Sequence, residues 1–162
     1  MRIAIASGKG GTGKTTVAVN LARVLADLGH WIQYIDCDVE EPNGHIFLKP
    51  TITATRTVGV PVPVVDEEKC TGCRKCAEVC QYHAIAVVKK PLIFPELCHG
   101  CGGCALACPA SAISEEERFI GVVETGDAGG VVFAQGRLNV GEPMAPPLIR
   151  AAKKAAISDA VV

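Results

Sequence analysis

The sequence predicts an α/β fold in which a parallel sheet with helices is interrupted by a small cysteine-rich α+β segment. A short apolar run at the start of the chain leads into a glycine-rich loop, and a segment with helical periodicity follows that loop. Further along, eight of the nine cysteines fall into two runs with the same internal spacing, at 70–80 and 98–108. The first pattern is typical of a nucleotide-binding α/β unit, and the second marks a separate metal-binding part.

The first 36 residues predict a βαβ unit. Residues 2–6, Arg-Ile-Ala-Ile-Ala, are an apolar run that predicts a buried strand. Apolar residues then recur at helical spacing over 15–28, and Gly29 stands where a left-handed C-cap is required. Residues 31–35 predict a second strand that ends at Asp36. Strand, loop, helix and strand in this order require a parallel pairing with a right-handed crossover.

The remaining chain contains an internal duplication, the two cysteine runs, with apolar segments before and after it. Residues 58–65 and 119–123 look like strands that enter and leave an insertion, and residues 145–157 predict a helix that begins after several prolines. Residues 160–162 begin another apolar run. We therefore predict three parts, which are a first segment 1–65, an inserted cysteine-rich domain 66–116 and a second segment 117–162.

Composition narrows the function classes. The 162 residues are 49% hydrophobic with a formal net charge of −1, so no broad basic surface is available for nucleic acid or an anionic membrane. No signal-peptide pattern precedes the glycine loop, and no apolar run approaches membrane-spanning length. We expect a cytoplasmic protein with no nucleic-acid partner and no membrane contact from this segment. In that reducing compartment, clustered thiols are metal ligands rather than disulfides.

The glycine loop has two interpretations. Gly8-x-Gly10-x-x-Gly13 with Asp36 beyond it also fits a dinucleotide fingerprint, and a purely structural glycine turn is a further alternative. Lys14 and Thr15 favour a triphosphate, because the lysine reaches the terminal phosphates and the threonine hydroxyl ligates Mg²⁺. The predicted ATP-binding residues are Gly8, Gly10, Gly11, Thr12, Gly13, Lys14, Thr15 and Thr16.

The two cysteine runs have the C-x2-C-x2-C-x3-C spacing of bacterial two-cluster ferredoxins, in which the fourth cysteine of each run serves the other cluster. By this crossed arrangement two [4Fe-4S] clusters are predicted. Their ligands are Cys70, Cys73, Cys76 and Cys108 for the first cluster, and Cys98, Cys101, Cys104 and Cys80 for the second. Zinc bound by the CxxC pairs is the alternative, but it leaves the other cysteines unexplained.

The segment Lys9–Thr16 resembles the deviant Walker A motif of the MinD/ParA/nitrogenase iron-protein class. The resemblance implies that Lys9 is the signature lysine of that class, which reaches the phosphates of a partner subunit across a dimer that sandwiches ATP. A nucleotide-dependent homodimer is therefore expected. The alternative is that Lys9 is a solvated loop lysine.

Asp36-Cys37-Asp38 resembles the switch I segment of the same class. The likeness implies that Asp38 orients the attacking water or a Mg²⁺-bound water, and that Asp36 supports the Mg²⁺ that Thr15 ligates. Lys9, Lys14 and Asp38 are thus the expected catalytic residues. The alternative is that both aspartates are turn or cap residues. Cys37 is read as a small buried residue without a role.

The whole arrangement is similar to MinD-superfamily ATPases that contain an inserted ferredoxin domain. Members of that family continue with an apolar strand and a Walker B aspartate, which do not occur before Val162. We therefore expect an N-terminal portion with an incomplete sheet and an exposed apolar edge. ATPase activity is expected of the full-length form, and weak binding or poor hydrolysis of this segment alone.

Two function classes follow. The favoured one is an ATP-binding iron-sulfur protein that couples nucleotide binding or hydrolysis to electron transfer to a redox partner, or to assembly of an iron-sulfur or other metallocofactor on a client protein. The second is a redox-sensing regulatory switch of the MinD/ParA kind. A simpler alternative is a ferredoxin whose ATPase half is inert.

Overall fold

A computed structural model describes residues 1–157 and 160. Within these residues, two sheets are present: a four-stranded sheet in the order β1-β6-β5-β2, and a two-stranded sheet of β3 and β4. A single 3₁₀ turn spans Pro95–Leu97. The strands are β1 Ile32–Asp36, β2 Thr51–Val65, β3 Ile85–Val87, β4 Pro91–Ile93, β5 Ile113–Asp127 and β6 Val131–Leu138, and the α-helices are α1 Lys14–Asp27, α2 Gly44–Leu48, α3 Lys75–Val79, α4 Gly103–Leu106 and α5 Ala145–Lys153.

The larger sheet is mixed. Strand β1 pairs with β6 in parallel, from Ile32 opposite Val131 to Asp36 opposite Gln135. Strand β6 pairs with β5 in the antiparallel direction. The α/β class and a parallel pairing are therefore as predicted, although the parallel partner of β1 is β6, a strand that the sequence analysis did not identify.

The predicted strand at residues 2–6 is wrong. These residues are not assigned to a strand, and all but Ile5 are exposed. A strand exists only where a neighbouring strand takes up its backbone hydrogen bonds. Within the part of the chain that the structure describes, β1 is hydrogen-bonded to β6 alone, so nothing pairs with residues 2–6. The short apolar run is not sufficient to form a strand by itself.

The predicted helix 15–28 is α1, and its C-terminus has the expected left-handed glycine. Gly29 has φ 87°. Its N–H donates to the carbonyl of Ala26 at 2.9 Å, and the N–H of His30 donates to the carbonyl of Leu25 at 3.1 Å. These two bonds form a Schellman motif, which satisfies carbonyl groups that the helix end leaves open.

Helix α1 packs on strands β1 and β6. Val19 and Ala22 pack into a core with Ile32 of β1 and Phe133 of β6. Val17, Val24 and Leu28 are apolar but 57%, 55% and 70% exposed. The apolar spacing therefore predicts the helix, and packing against the strands decides which of its apolar residues are buried.

The later elements are longer or shorter than predicted. Strand β2 contains the predicted strand 58–65 but begins at Thr51, and β5 contains 119–123 but extends in both directions. Helix α5 ends at Lys153, before the predicted end at residue 157. The apolar run predicted at 160–162 lies largely outside the described residues. No helix in the described part of the chain has the length and apolar character needed to cross a membrane.

The chain forms two compact units. The first comprises residues 1–58, 121–141 and 145–162, and the second comprises residues 59–120 and 142–144. Within the second unit, the guanidinium of Arg118 and the carboxylate of Glu142 form a bidentate ion pair. The boundaries predicted for the inserted domain, 66 and 116, remain a prediction.

Gly44 provides a test of packing in the first unit. A Cβ atom at this position would lie 2.5 Å from the ring of Tyr34, which itself stacks on Phe133 with ring centroids 5.9 Å apart. We predict that Gly44→Ala lowers the free energy of unfolding by about 1–3 kcal/mol, because the ring has to move out of a packed core. Thermal denaturation measures this loss. Gly10→Ala is the matched control, since no heavy atom lies within 4 Å of its Cβ position; equal melting temperatures for the two variants would contradict the prediction.

Candidate functional site

The glycine loop of the first unit is an open turn that leads directly into α1. Gly11 and Gly13 have φ values of 71° and 90°, and Gly13 is the N-cap of the helix. The hydroxyls of Ser7 and Thr12 both donate to the carbonyl of Lys9, at 2.8 and 3.4 Å. The loop therefore has left-handed glycine conformations and precedes a helix N-terminus, which is the arrangement that binds phosphate groups.

A cavity of about 760 Å³ lies beside the start of α1, between residues 2–7 and β1. Lys14, Thr15, Asp36 and Asp38 all line it, so the structure brings together four residues predicted to act on the phosphates and Mg²⁺. The remaining predicted nucleotide residues do not line the cavity; they are Gly8, Lys9, Gly10, Gly11, Thr12, Gly13 and Thr16.

Asp36 is buried, and its carboxylate accepts three hydrogen bonds from its own surroundings. Oδ1 accepts from the N–H of Asp38 at 3.1 Å. Oδ2 accepts from the N–H of Gly44 at 2.9 Å and from the hydroxyl of Tyr34 at 3.4 Å. Burial raises the pKa of the Tyr34 hydroxyl, and the negative charge of Asp36 raises it further. Asp36 thus organises the turn after β1, as the alternative interpretation described, and its role toward Mg²⁺ stays a prediction.

Asp38 and Cys37 follow in this turn. Asp38 is exposed, so its carboxylate is available to a ligand. Cys37 is half-buried, and burial raises the pKa of its thiol, against an opposing effect of Lys153. A neutral, partly buried thiol agrees with the interpretation of Cys37 as a packing residue.

In the second unit, the two cysteine runs have nearly the same backbone. Both loops are followed by a short helix that begins at the equivalent residue, Lys75 in α3 and Gly103 in α4. Left-handed conformations also occur at equivalent positions in the two runs. The pairs are Gly72 (φ 69°) with Gly100 (63°), Arg74 (66°) with Gly102 (73°), and His83 (52°) with Ser111 (47°).

Hydrogen bonds to sulfur repeat as well. The N–H of Ala84 donates to Sγ of Cys80, and the N–H of Ala112 donates to Sγ of Cys108, both at 3.3 Å. Donation from backbone N–H groups stabilises negative charge on sulfur, and such bonds tune metal-bound thiolates. The fourth cysteine of each run therefore accepts a backbone hydrogen bond in the same way.

One cavity joins the two runs. Cys70, Cys73 and Cys76 of the first run line it together with Cys108 of the second run. These four are the set predicted for the first cluster from the crossed spacing. Arg74 and Gly72 also line this cavity.

The other predicted set is less completely defined. Cys98 and Cys101 lie close enough to Cys104 for their negative charges to raise the pKa of its thiol, after burial as the main cause. Cys80 packs against a small core that contains Cys76 and Cys104. Among the described residues, no three His, Cys, Asp or Glu side chains converge to hold a metal ion. A cubane binds each of its four thiolates at a different iron, so its ligands are spread around the cluster.

Two thiols of the first run have pKa values shifted in opposite directions. Hydrogen bonding from the backbone N–H of Lys75 is the main cause that lowers the pKa of the exposed Cys73 thiol. Burial raises the pKa of Cys76, and the charges of Cys70 and Cys73 add to this. An exposed, acidic thiol beside a buried one indicates that the loop has a solvent side and a core side.

Two features near the second run were not found from the sequence. The ring of His99 stacks on Tyr82, with centroids 3.6 Å apart and planes 8° from parallel. Gly100 packs so closely on Pro61 that a Cβ would lie 3.0 Å from its carbonyl oxygen. The only sequence signal for the first feature was an aromatic residue two positions after Cys80, and the second contact has no sequence signal.

Comparison with known proteins identifies the family. Residues 3–132 match CbiA, described as the CobQ/CobB/MinD/ParA nucleotide binding domain. The chain belongs to this family. The match covers the glycine loop, β1 and the turn at Asp36 to Asp38, so the cavity beside α1 lies in a nucleotide-binding domain.

Individual relatives match shorter stretches. An uncharacterized protein of Methanocaldococcus jannaschii is 35% identical over 91 residues, which is 55% of this chain and 32% of the relative. An iron-sulfur cluster carrier protein of Pyrococcus horikoshii is 52% identical over 42 residues, 26% of this chain and 14% of the relative. The antiactivator FleN of Pseudomonas aeruginosa is 46% identical over 56 residues, 35% and 19% of the two chains. The chain thus spans no more than a third of the length of these relatives.

The glycine loop gives a direct test of nucleotide binding. We predict that Lys14→Ala weakens binding of a fluorescent ATP analogue at least tenfold, because the ammonium group that meets the terminal phosphates is lost. Fluorescence anisotropy measures the affinity. Lys154→Ala removes an exposed lysine that does not line the cavity and is the control. Equal affinities for Lys14→Ala and the unmodified protein would refute the assignment.

Proposed function

We propose that this chain is part of an ATP-binding iron-sulfur protein that couples nucleotide binding to the transfer of electrons or of an iron-sulfur cluster to a partner protein. Its second unit holds two [4Fe-4S] clusters on crossed cysteine sets, and its first unit binds ATP and Mg²⁺. The observation that carries the proposal is the cavity in which Cys108 of the second run meets Cys70, Cys73 and Cys76 of the first.

The donor set fits a cluster for three reasons. Four of the side chains that line this cavity are thiols, the ligand type that iron-sulfur clusters require. The glycine at φ 69° allows the loop to turn between the first two of them. The N–H of Ala112 donates to the sulfur of Cys108, a hydrogen bond of the kind that metal-bound thiolates accept. Zinc bound by thiols remains the competing metal.

The nucleotide half supports the second part of the proposal. Thr15 and Asp38 line one cavity with Lys14, so a phosphate on the loop would meet a cation, a hydroxyl and a free carboxylate. Phosphoryl transfer depends chiefly on such positioning and charge neutralisation. Thr15 and Asp36 are the proposed Mg²⁺ residues, and Lys9 is proposed to reach the nucleotide of a partner subunit, since it is exposed and outside the cavity.

The names of the relatives bear on which transfer is carried out. Several are iron-sulfur cluster carrier proteins, from Pyrococcus, Synechocystis and Aquifex. This supports delivery of a cluster to a client protein as one form of the proposed coupling. One relative is named an antiactivator, which supports a redox-sensing regulatory switch as the second candidate. The two are distinguished by whether ATP changes the rate of transfer or only the choice of partner.

The crossed arrangement makes a prediction for pairs of cysteines. Each of Cys70→Ser and Cys108→Ser is expected to remove about four iron per chain, and the double variant no more than either alone, because both changes affect the same cluster. Cys70→Ser combined with Cys80→Ser is expected to remove both clusters. Iron and sulfide analysis after anaerobic purification measures this, starting from about eight of each per chain.

Cys37→Ser is the control for these variants and is expected to leave the iron content unchanged. If Cys70→Ser and Cys108→Ser had additive losses, the crossed assignment would fail. If the unmodified protein held zinc under strict anaerobiosis, the iron-sulfur half of the proposal would be withdrawn.

Coupling depends on the nucleotide dimer. We predict that Lys9→Ala retains affinity for ATP within about threefold but no longer dimerises with ATP, since its ammonium is proposed to act on the partner's phosphates. Analytical ultracentrifugation of the protein, with ATP and with ADP, measures the association. ATP-dependent dimers of Lys9→Ala as stable as those of the unmodified protein would show that Lys9 has no such role.

A further inference from the structure

The two cysteine loops differ in charge at equivalent positions. Arg74 and Lys75 follow the second cysteine of the first run, where Gly102 and Gly103 follow the second cysteine of the second run. The backbone is otherwise repeated, with the helices α3 and α4 beginning at the same place. The duplication therefore provides its own comparison: one loop carries two cations where the other carries none.

Arg74 occupies a position that favours glycine. Its φ is 66°, close to the 73° of Gly102. A residue with a Cβ is strained in this left-handed conformation, whereas glycine is not. An arginine is thus kept where the fold alone would prefer glycine. Strain of this kind tends to persist where the side chain has a function.

The two cations are free. Both side chains are exposed, and among the described residues neither has a carboxylate within ion-pair distance. Nearby lysines behave differently: Lys69 pairs with Asp66 at 2.8 Å, and Lys90 pairs with Glu67. Arg74 and Lys75 therefore present uncompensated positive charge on a chain whose formal net charge is −1.

A third exposed lysine belongs to a segment that borders the first loop. Lys89 has no ion pair within the described part of the chain, and its backbone carbonyl oxygen lies 3.7 Å from the Cβ position of Gly72 in the first loop. Arg74 also lines the cavity of Cys70, Cys73, Cys76 and Cys108, and Cys73 is itself exposed. Three cationic residues therefore belong to segments that border the first cysteine set.

We propose that Arg74, Lys75 and Lys89 form a docking surface, called here the basic rim, for an acidic redox partner that exchanges electrons at the first cysteine set. This rests on the function proposed above. A positive rim attracts an acidic surface over a Debye length and orients it, which raises the association rate at low ionic strength. The second run has glycines at these positions and offers no such surface.

The test replaces the first loop's cations without disturbing its fold. Arg74→Gly with Lys75→Gln gives the first loop the glycine found at Gly102, so folding is retained. The matched control is Lys49→Gly with Lys154→Gln in the first unit. Lys49 is exposed and has φ 48°, so Lys49→Gly, like Arg74→Gly, replaces a cationic residue in a left-handed backbone conformation by glycine. Lys154→Gln, like Lys75→Gln, replaces an exposed lysine by glutamine, so both double variants lose the same charge.

The first readout is binding of a fluorescein-labelled oligoglutamate peptide at low ionic strength, which needs no redox chemistry. The basic-rim variant is expected to bind at least about threefold more weakly than the unmodified protein, and the control within about a factor of 1.5. Equal binding by the rim variant and the control would overturn the proposal.

The second readout is the oxidation of the dithionite-reduced protein by two oxidants of opposite charge, ferric EDTA and hexaammineruthenium(III), in a stopped-flow instrument. One electron passes from a reduced cluster to each oxidant molecule, giving ferrous EDTA or ruthenium(II). The rim variant is expected to react at least about threefold more slowly than the unmodified protein with anionic ferric EDTA, and no more slowly with the cationic ruthenium complex. Its reaction with ferric EDTA is also expected to lose its dependence on salt concentration.

The outcomes separate this inference from the proposed function. If the protein takes up clusters but the rim variant reacts with ferric EDTA as fast as the unmodified protein, only the basic-rim proposal is overturned. A protein that takes up no iron-sulfur cluster overturns the proposed function, and the basic rim as an electron-exchange surface with it. Visible absorbance of the purified protein distinguishes these two cases before the kinetics begin.

Discussion

The second unit depends on thiols from both cysteine runs meeting at one place. Cys108 belongs to the second run but lines a cavity with three cysteines of the first. The repeated left-handed positions bend both loops in the same way, and the short helices α3 and α4 then place Cys76 and Cys104 in one buried cluster with Ile85. A metal group bound by thiols of both runs would cross-link them and so contribute to the stability of this small unit.

The first unit is organised by its own constraint, the buried carboxylate of Asp36. It holds the turn after β1 by accepting from Asp38, Gly44 and Tyr34, and Tyr34 in turn packs on Phe133 in the core. The same turn presents Asp38 to the cavity that Lys14 and Thr15 line. Asp36, which holds the turn, and the exposed Asp38 are therefore two residues apart and line the same cavity.

Patterns that depend on local chemistry were predicted well from the sequence. Gly29 ends α1 as expected, because only the local chain decides a Schellman motif. Cys108 lines a cavity with three cysteines of the first run, as the crossed spacing requires, and the two ligand sets stay a prediction. The errors concern long-range partners. Residues 2–6 were predicted as a strand without knowledge of a neighbour, and they are not assigned to one. The parallel pairing of β1 with β6 joins distant parts of the chain, and no local pattern reveals it.

The central claim is that the duplicated loops bind two [4Fe-4S] clusters, each held by three cysteines of one run and the fourth cysteine of the other. Native mass spectrometry of the anaerobically reconstituted protein tests this most directly, since it weighs the intact holoprotein. The account predicts a single dominant species heavier than the apoprotein by two [4Fe-4S] units, with little protein carrying zinc. A dominant species with one or two zinc ions, or with no bound metal after reconstitution, would contradict it.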